Sequence, residues 1–169
     1  MSDEVAAAQL PPDAENALVA ELARLVLEES APEELVLFQE NAAEYFRDPR
    51  AVPAARSRDE PVGFGLDLVM LTPYVLAVSV PVVQFLVTTM AEAVAAESAT
   101  HVVGLVRRRF RRKEAAPALD AAPGGVEPLS REQLREVREV AYRAAQGVKL
   151  GDEQAKLLAD AVVGGLVAR

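Results

Sequence analysis

The sequence predicts an all-α protein: a long central apolar helix kinked at Pro73 and Pro81, flanked by an N-terminal and a C-terminal αα-hairpin. Three observations predict it. An uncharged run of 24 residues, Leu68 to Ala91, lies between Asp67 and Glu92. On both sides of it, apolar residues recur at spacings of three and four, with capping residues at the segment starts. Two stretches rich in Pro and Gly, 50–66 and 114–128, carry no such period and read as linkers. The chain therefore divides into an acidic helical hairpin (1–49), a linker (50–66), an apolar central helix with a basic end (67–113), a second linker (114–128) and a C-terminal hairpin (129–169).

The elements follow in order. Pro11-Pro12 stops anything upstream, and Asp13 is placed to cap a helix running to about Glu29, with Leu18, Leu22, Leu25 and Val26 as its apolar stripe. Ser30 and Glu33 have the spacing of a capping box, which predicts a second helix with Leu35, Phe38, Ala42, Tyr45 and Phe46 on one side, ended by Asp48-Pro49. Glu33 and Glu34 favour the positive end of that helix's dipole. Thr72-Pro73 reads as the start of the central helix, and Pro81 as a kink or a fresh start. Beyond Pro81 nothing breaks the pattern, so Val83, Val87, Met90, Val94, His101 and Leu105 predict one helix to about Lys113. In the tail, Ser130 and Gln133 form a capping box before the stripe Leu134, Val137, Ala141, Ala144 and Val148. Gly147 and Gly151 mark a turn, Asp152 caps the partner helix, and Leu158, Ala161, Val162, Gly165 and Leu166 face back.

Charge is distributed unevenly along these pieces. Residues 1–50 hold 12 acids and 3 bases, 51–113 hold 8 bases and 5 acids, and 114–169 hold 9 acids and 7 bases. The net charge of −8 argues against general nucleic-acid binding, and Phe110 alone among the arginines makes no stacking platform. Cysteine is absent, which removes disulfides and thiolate chemistry. The first 30 residues lack a basic segment followed by an apolar one, so Sec export is not expected. The Ala, Val, Arg and Glu bias is similar to that of proteins from high-GC bacteria.

The apolar run decides the functional class. Its length matches the roughly 20 residues a bilayer-spanning helix needs, and its mean hydropathy over 68–86 is about 2. Twelve Leu, Val and Phe side chains contribute about −5 kcal/mol to insertion, whereas each proline costs about 3 kcal/mol in an ordinary helix interior. Insertion is therefore balanced near zero. The expected lipid contacts are Leu68, Val69, Leu71, Tyr74, Leu76, Val78, Val82, Phe85 and Leu86. Arg107, Arg108, Arg109, Arg111, Arg112 and Lys113 are expected to bind anionic headgroups or an acidic partner, at about 1 kcal/mol per charge on a membrane surface. The protein's own acidic head is one such partner. Ala91, Ala95, Ala99 and Gly104 present small residues along the helix, a pattern that permits close self-association.

Catalytic signals are lacking. His101 is the single histidine, one turn after Glu97, and a lone helical histidine is usually packing or surface. Glu40 with Glu44, and Glu132 with Glu136, read as solvated faces, and no phosphate-binding or nucleophile motif is present. The expectation is a small non-enzymatic protein without cofactor or metal, associated with the cytoplasmic face of the membrane as anchor, adaptor or membrane-perturbing effector. Its partners would be anionic lipid, proteins recruited by the two hairpins, and a further copy of itself. The alternative is a cytoplasmic all-α adaptor or assembly subunit in which the apolar helix is core or oligomer interface.

Overall fold

Prolines and caps set the helix boundaries. The computed structural model describes residues 10–50, 71–94, 98–111 and 128–167. These form six α-helices and one 3-10 segment, with no strand among the described residues, so the fold is all-α. The linkers, apart from Arg50 and Pro128, lie outside the described residues.

Helix α1 spans Pro12–Ser30. Pro12 at its first position needs no N–H partner, and the Pro11 carbonyl accepts from the Ala14 and Glu15 amides, both at 3.0 Å. Pro11, not Asp13, holds the cap position, and no side chain caps this end. Leu18, Val19, Leu22, Ala23, Val26 and Leu27 are all fully buried, a wider stripe than expected, because α1 is covered from two sides. Ala31, which precedes Pro32, leaves the helical conformation with φ −156° and ψ 67°. Here the expected Ser30–Glu33 capping box is corrected. Ser30 belongs to the last turn of α1, and Pro32–Leu37 forms the 3-10 segment with Ala31 before it and no side-chain cap. Helix α2, Phe38–Arg47, then buries Phe38, Ala42 and Tyr45.

Helix α3, Thr72–Val94, is one helix with Pro81 inside it. Thr72 lies inside the helix, and the Leu71 carbonyl accepts the first bond, from Val75 N–H at 3.0 Å. The single helix expected to reach Lys113 is instead two described helices, α3 and α4 (Ala99–Arg111). Ser98 opens α4, accepting from the His101 amide through its carbonyl at 3.1 Å and its Oγ at 3.4 Å. Packing accounts for the break. A straight helix from 72 to 113 would be about 63 Å long at 1.5 Å per residue, far beyond the 19-residue α1 that covers it. As a separate helix packed on α1 and α3, α4 buries Val102, Leu105, Val106 and Phe110.

The tail matches its local signals closely. Helix α5, Arg131–Gly147, opens with the expected capping box: Gln133 N–H donates to Ser130 Oγ (3.1 Å) and Ser130 N–H to Gln133 Oε1 (2.9 Å). Helix α6 spans Asp152–Leu166, with Gly151 rather than Asp152 at the cap position. The turn between them is a Schellman motif: Leu150 N–H reaches the Ala145 carbonyl (3.1 Å) and Lys149 N–H the Gln146 carbonyl (2.9 Å). The left-handed position is Lys149, with φ 63°, and not one of the two glycines that flank the turn in sequence.

Four helices close a ring. α1 packs on α3, α3 on α5, α5 on α6, and α6 back on α1. Gly165 marks the last of these contacts, where an added Cβ would sit 3.6–3.7 Å from Leu25 and Val26 of α1. α2 leans mainly on α3, and α4 lies across α1 and α3. Val75, Leu76, Val78, Val82, Val83 and Leu86 of α3 are fully buried in this arrangement. At about 1.5–3 kcal/mol per side chain, α3 is the largest single source of hydrophobic stabilisation.

Candidate functional site: the apolar and basic helices and their acidic cover

Within the bundle, α3 has two unlike sides. Of the residues expected to meet lipid, Leu76, Val78, Val82 and Leu86 are fully buried, Leu71 is buried, and Tyr74 and Phe85 are half-buried; Leu68 and Val69 lie outside the described residues. Gln84 and Thr88, four apart on one side, are exposed, and Tyr74, Ala77, Val80, Pro81 and Phe85 are half-buried. The exposed pair is polar, a local feature that mean hydropathy conceals. By length and composition Thr72–Glu92 still qualifies as a membrane-crossing helix, with a mean hydropathy of 1.8 and half of that stretch buried.

The start of α3 is held by a residue 38 positions away. No acidic side chain lies in the first turn of α3, and its first amides need acceptors. Glu34, from the 3-10 segment, supplies them. Its Oε1 accepts from Leu71 N–H at 2.5 Å, and its Oε2 accepts from Thr72 N–H at 2.7 Å and Thr72 Oγ1 at 2.5 Å. Thr72 is completely buried, so these donors have little recourse to water. The carboxylate also sits where the helix dipole is positive.

Two further carboxylates of the head reach α3 and α4. Glu15 Oε1 accepts from Gln84 Nε2 at 2.8 Å, on the exposed side of α3. Glu21 Oε1 accepts from Arg107 Nε at 2.7 Å, with both side chains about one-third exposed. Among the described residues of the basic end, Arg107 is paired, Arg109 and Phe110 are buried, and Arg108 is exposed. The Arg111 side chain, Arg112 and Lys113 lie outside the described residues.

The remaining candidates are dispersed. Ala91 and Ala99 are half-buried, Ala95 lies outside the described residues, and Gly104 has open space where a Cβ would project. His101 is exposed. Among the described residues, no group of three His, Asp or Glu side chains is arranged to hold a metal ion. On the tail, Arg138 Nε donates to Asp160 at 2.5 Å and holds that carboxyl below its usual range. Lys156 and then Tyr142 do the same for Asp152, and the bond to Asp152 raises the Tyr142 phenol. These are exposed surface pairs.

Sequence reading named the acidic head as a partner of the arginine cluster without placing Glu21 on Arg107, and it missed the Glu34 and Glu15 contacts. One signal was available for the Glu34 bond: α3 begins with no acid of its own, so an acceptor must come from elsewhere. Ser79 is fully buried in α3, and its Oγ has no hydrogen-bond partner among the described residues. No protein-family model, curated protein or solved structure matches the chain.

Proposed function

We propose that this protein is a non-enzymatic all-α interaction module, an adaptor or a subunit of a larger assembly, acting in the cytoplasm, whose apolar helix is the core of its own bundle. One observation carries this reading: α3 buries Val75, Leu76, Val78, Val82, Val83 and Leu86 and exposes the polar Gln84 and Thr88, the division expected of a helix that meets protein on one side and water on the other. The exposed apolar residues Val36, Leu37 and Leu157 offer contact points for protein partners. Carbonate-washed fractionation of cells expressing the intact chain tests it. Recovery in the soluble fraction, as a single species on sedimentation, is the expected result; retention in the washed membrane pellet overturns it.

A second reading, membrane association at the cytoplasmic face, is favoured by the length and hydropathy of Thr72–Glu92 and by the arginine run that follows. In this reading anionic lipid is the partner of Arg107 and its neighbours, and flotation with anionic vesicles at low salt, without the carbonate wash that strips electrostatically bound protein, separates the two.

A further inference from the structure

Among the described residues, three carboxylates of the acidic head make polar contacts with the apolar and basic helices: Glu34 at the start of α3, Glu15 at Gln84 in its middle, and Glu21 at Arg107 on α4. The Glu21 carboxylate, bonded to Arg107 Nε, neutralises that guanidinium and so weakens its attraction to a lipid phosphate. Arg109 is 7% exposed, so it meets a headgroup only if α4 lifts from the bundle. Moving α3 from bundle to bilayer exchanges one apolar environment for another, because lipid tails are as apolar as leucine. The burial of α3's own side chains is then largely conserved, but α1 and α5 lose their cover, which favours the bundle; the contacts to the head add to that preference, and arginine–headgroup attraction opposes it.

The geometry points to an autoinhibitory latch: the carboxylates of Glu15, Glu21 and Glu34 hold α3 and α4 in the bundle and mask an anionic-lipid-binding surface centred on Arg107 and Arg109. This rests on the second reading above. In the latched protein the binding-competent form is a minor fraction, and the apparent affinity for an anionic surface is reduced by that fraction. Loosening the latch raises it by the same factor.

The test uses the intact chain and vesicles of equal parts phosphatidylglycerol and phosphatidylcholine, read by co-sedimentation. The latch variant is E15Q/E21Q/E34Q. Its control, E28Q/E40Q/E44Q, removes the same three charges from exposed positions of the same head. Among the described residues those three side chains make no hydrogen bond or ion pair to α3 or α4. The latch variant is expected to bind about ten-fold or more tightly than both the wild type and the control, equivalent to about 1.4 kcal/mol. Equal gains in the two variants would show a general charge effect and overturn the latch. Wild-type binding as tight as the latch variant's also overturns it, while leaving the membrane reading in place; no binding by any form defeats both. Should the latch variant lose its cooperative unfolding transition, E15Q/E21Q against E28Q/E40Q repeats the comparison with the same outcomes, since Glu34 and the start of α3 are then intact.

Discussion

Replacing Glu34 with alanine strips the start of α3 of its acceptors. Three bonds are lost, from the Leu71 and Thr72 amides and the Thr72 hydroxyl, at 2.5–2.7 Å. Hydrogen bonds to a charged group contribute about 1.5–3 kcal/mol each, but bonds sharing one carboxylate do not add. Glu34 is itself half-buried, and Leu71 lies at the edge of the core with 9% exposure, so water recovers part of the loss. Thr72 recovers none, being fully buried. A net destabilisation of about 3 kcal/mol follows, which for a protein of this size lowers Tm by about 6–12 °C. Glu34→Gln keeps one acceptor and the shape, and is expected to cost about 1 kcal/mol. Urea unfolding followed by circular dichroism gives the free energies, and amide exchange at Leu71 and Thr72 should accelerate selectively. In a double-mutant cycle, Glu34→Ala and Thr72→Val should couple by about 1 kcal/mol. A Glu34→Ala variant within about 0.5 kcal/mol of wild type, or strict additivity with Thr72→Val, would refute the assignment of Glu34 as the cap of α3.

Three other outcomes are expected. Lys149→Gly removes a left-handed side chain from the Schellman turn and should stabilise the protein by about 1 kcal/mol on thermal unfolding; a loss of stability would contradict the turn geometry. Ser79→Ala removes an unpartnered buried hydroxyl and should be neutral or stabilising by up to about 1 kcal/mol in urea, with a clear destabilisation as the contrary result. Burial raises the Tyr45 phenol above its ordinary value, so its contribution to stability is complete below pH 10 and is lost as pH rises through the elevated folded value. Tyr45→Phe should flatten that alkaline decline; an unchanged pH–stability curve above pH 10 would exclude Tyr45 as its source.

Much of the fold was legible because its signals are local. Ser130 and Gln133 are three residues apart and recognise each other within one turn, so the start of α5 follows from the sequence alone. The stripe Leu18, Leu22 and Val26 likewise needs only the helix period. What was not legible depends on contacts distant in sequence. Glu34 and Thr72 lie 38 residues apart, Glu15 and Gln84 69, Glu21 and Arg107 86. The break between α3 and α4 was hidden for the same reason: the residues around it suit a helix, and only the burial of Val102 and Val106 against other elements favours a separate one. Lys149 shows a different limit. Two nearby glycines drew the turn away from it, but the bonds closing α5 place the left-handed residue at 149.

The closed ring of helices imposes an order on biosynthesis. α1 and α6 are sequence-distant neighbours, and α5, the partner of α3, follows it by 37 residues, from Val94 to Arg131. At about 5–20 residues per second, the 72 residues from Val94 to Leu166 take about 4–14 s to synthesise. During that interval the most apolar helix of the chain has only α1, α2 and later α4 to cover it. In that state the apolar side of α3 is less covered than in the finished bundle, so its burial is complete only once α5 and α6 have emerged.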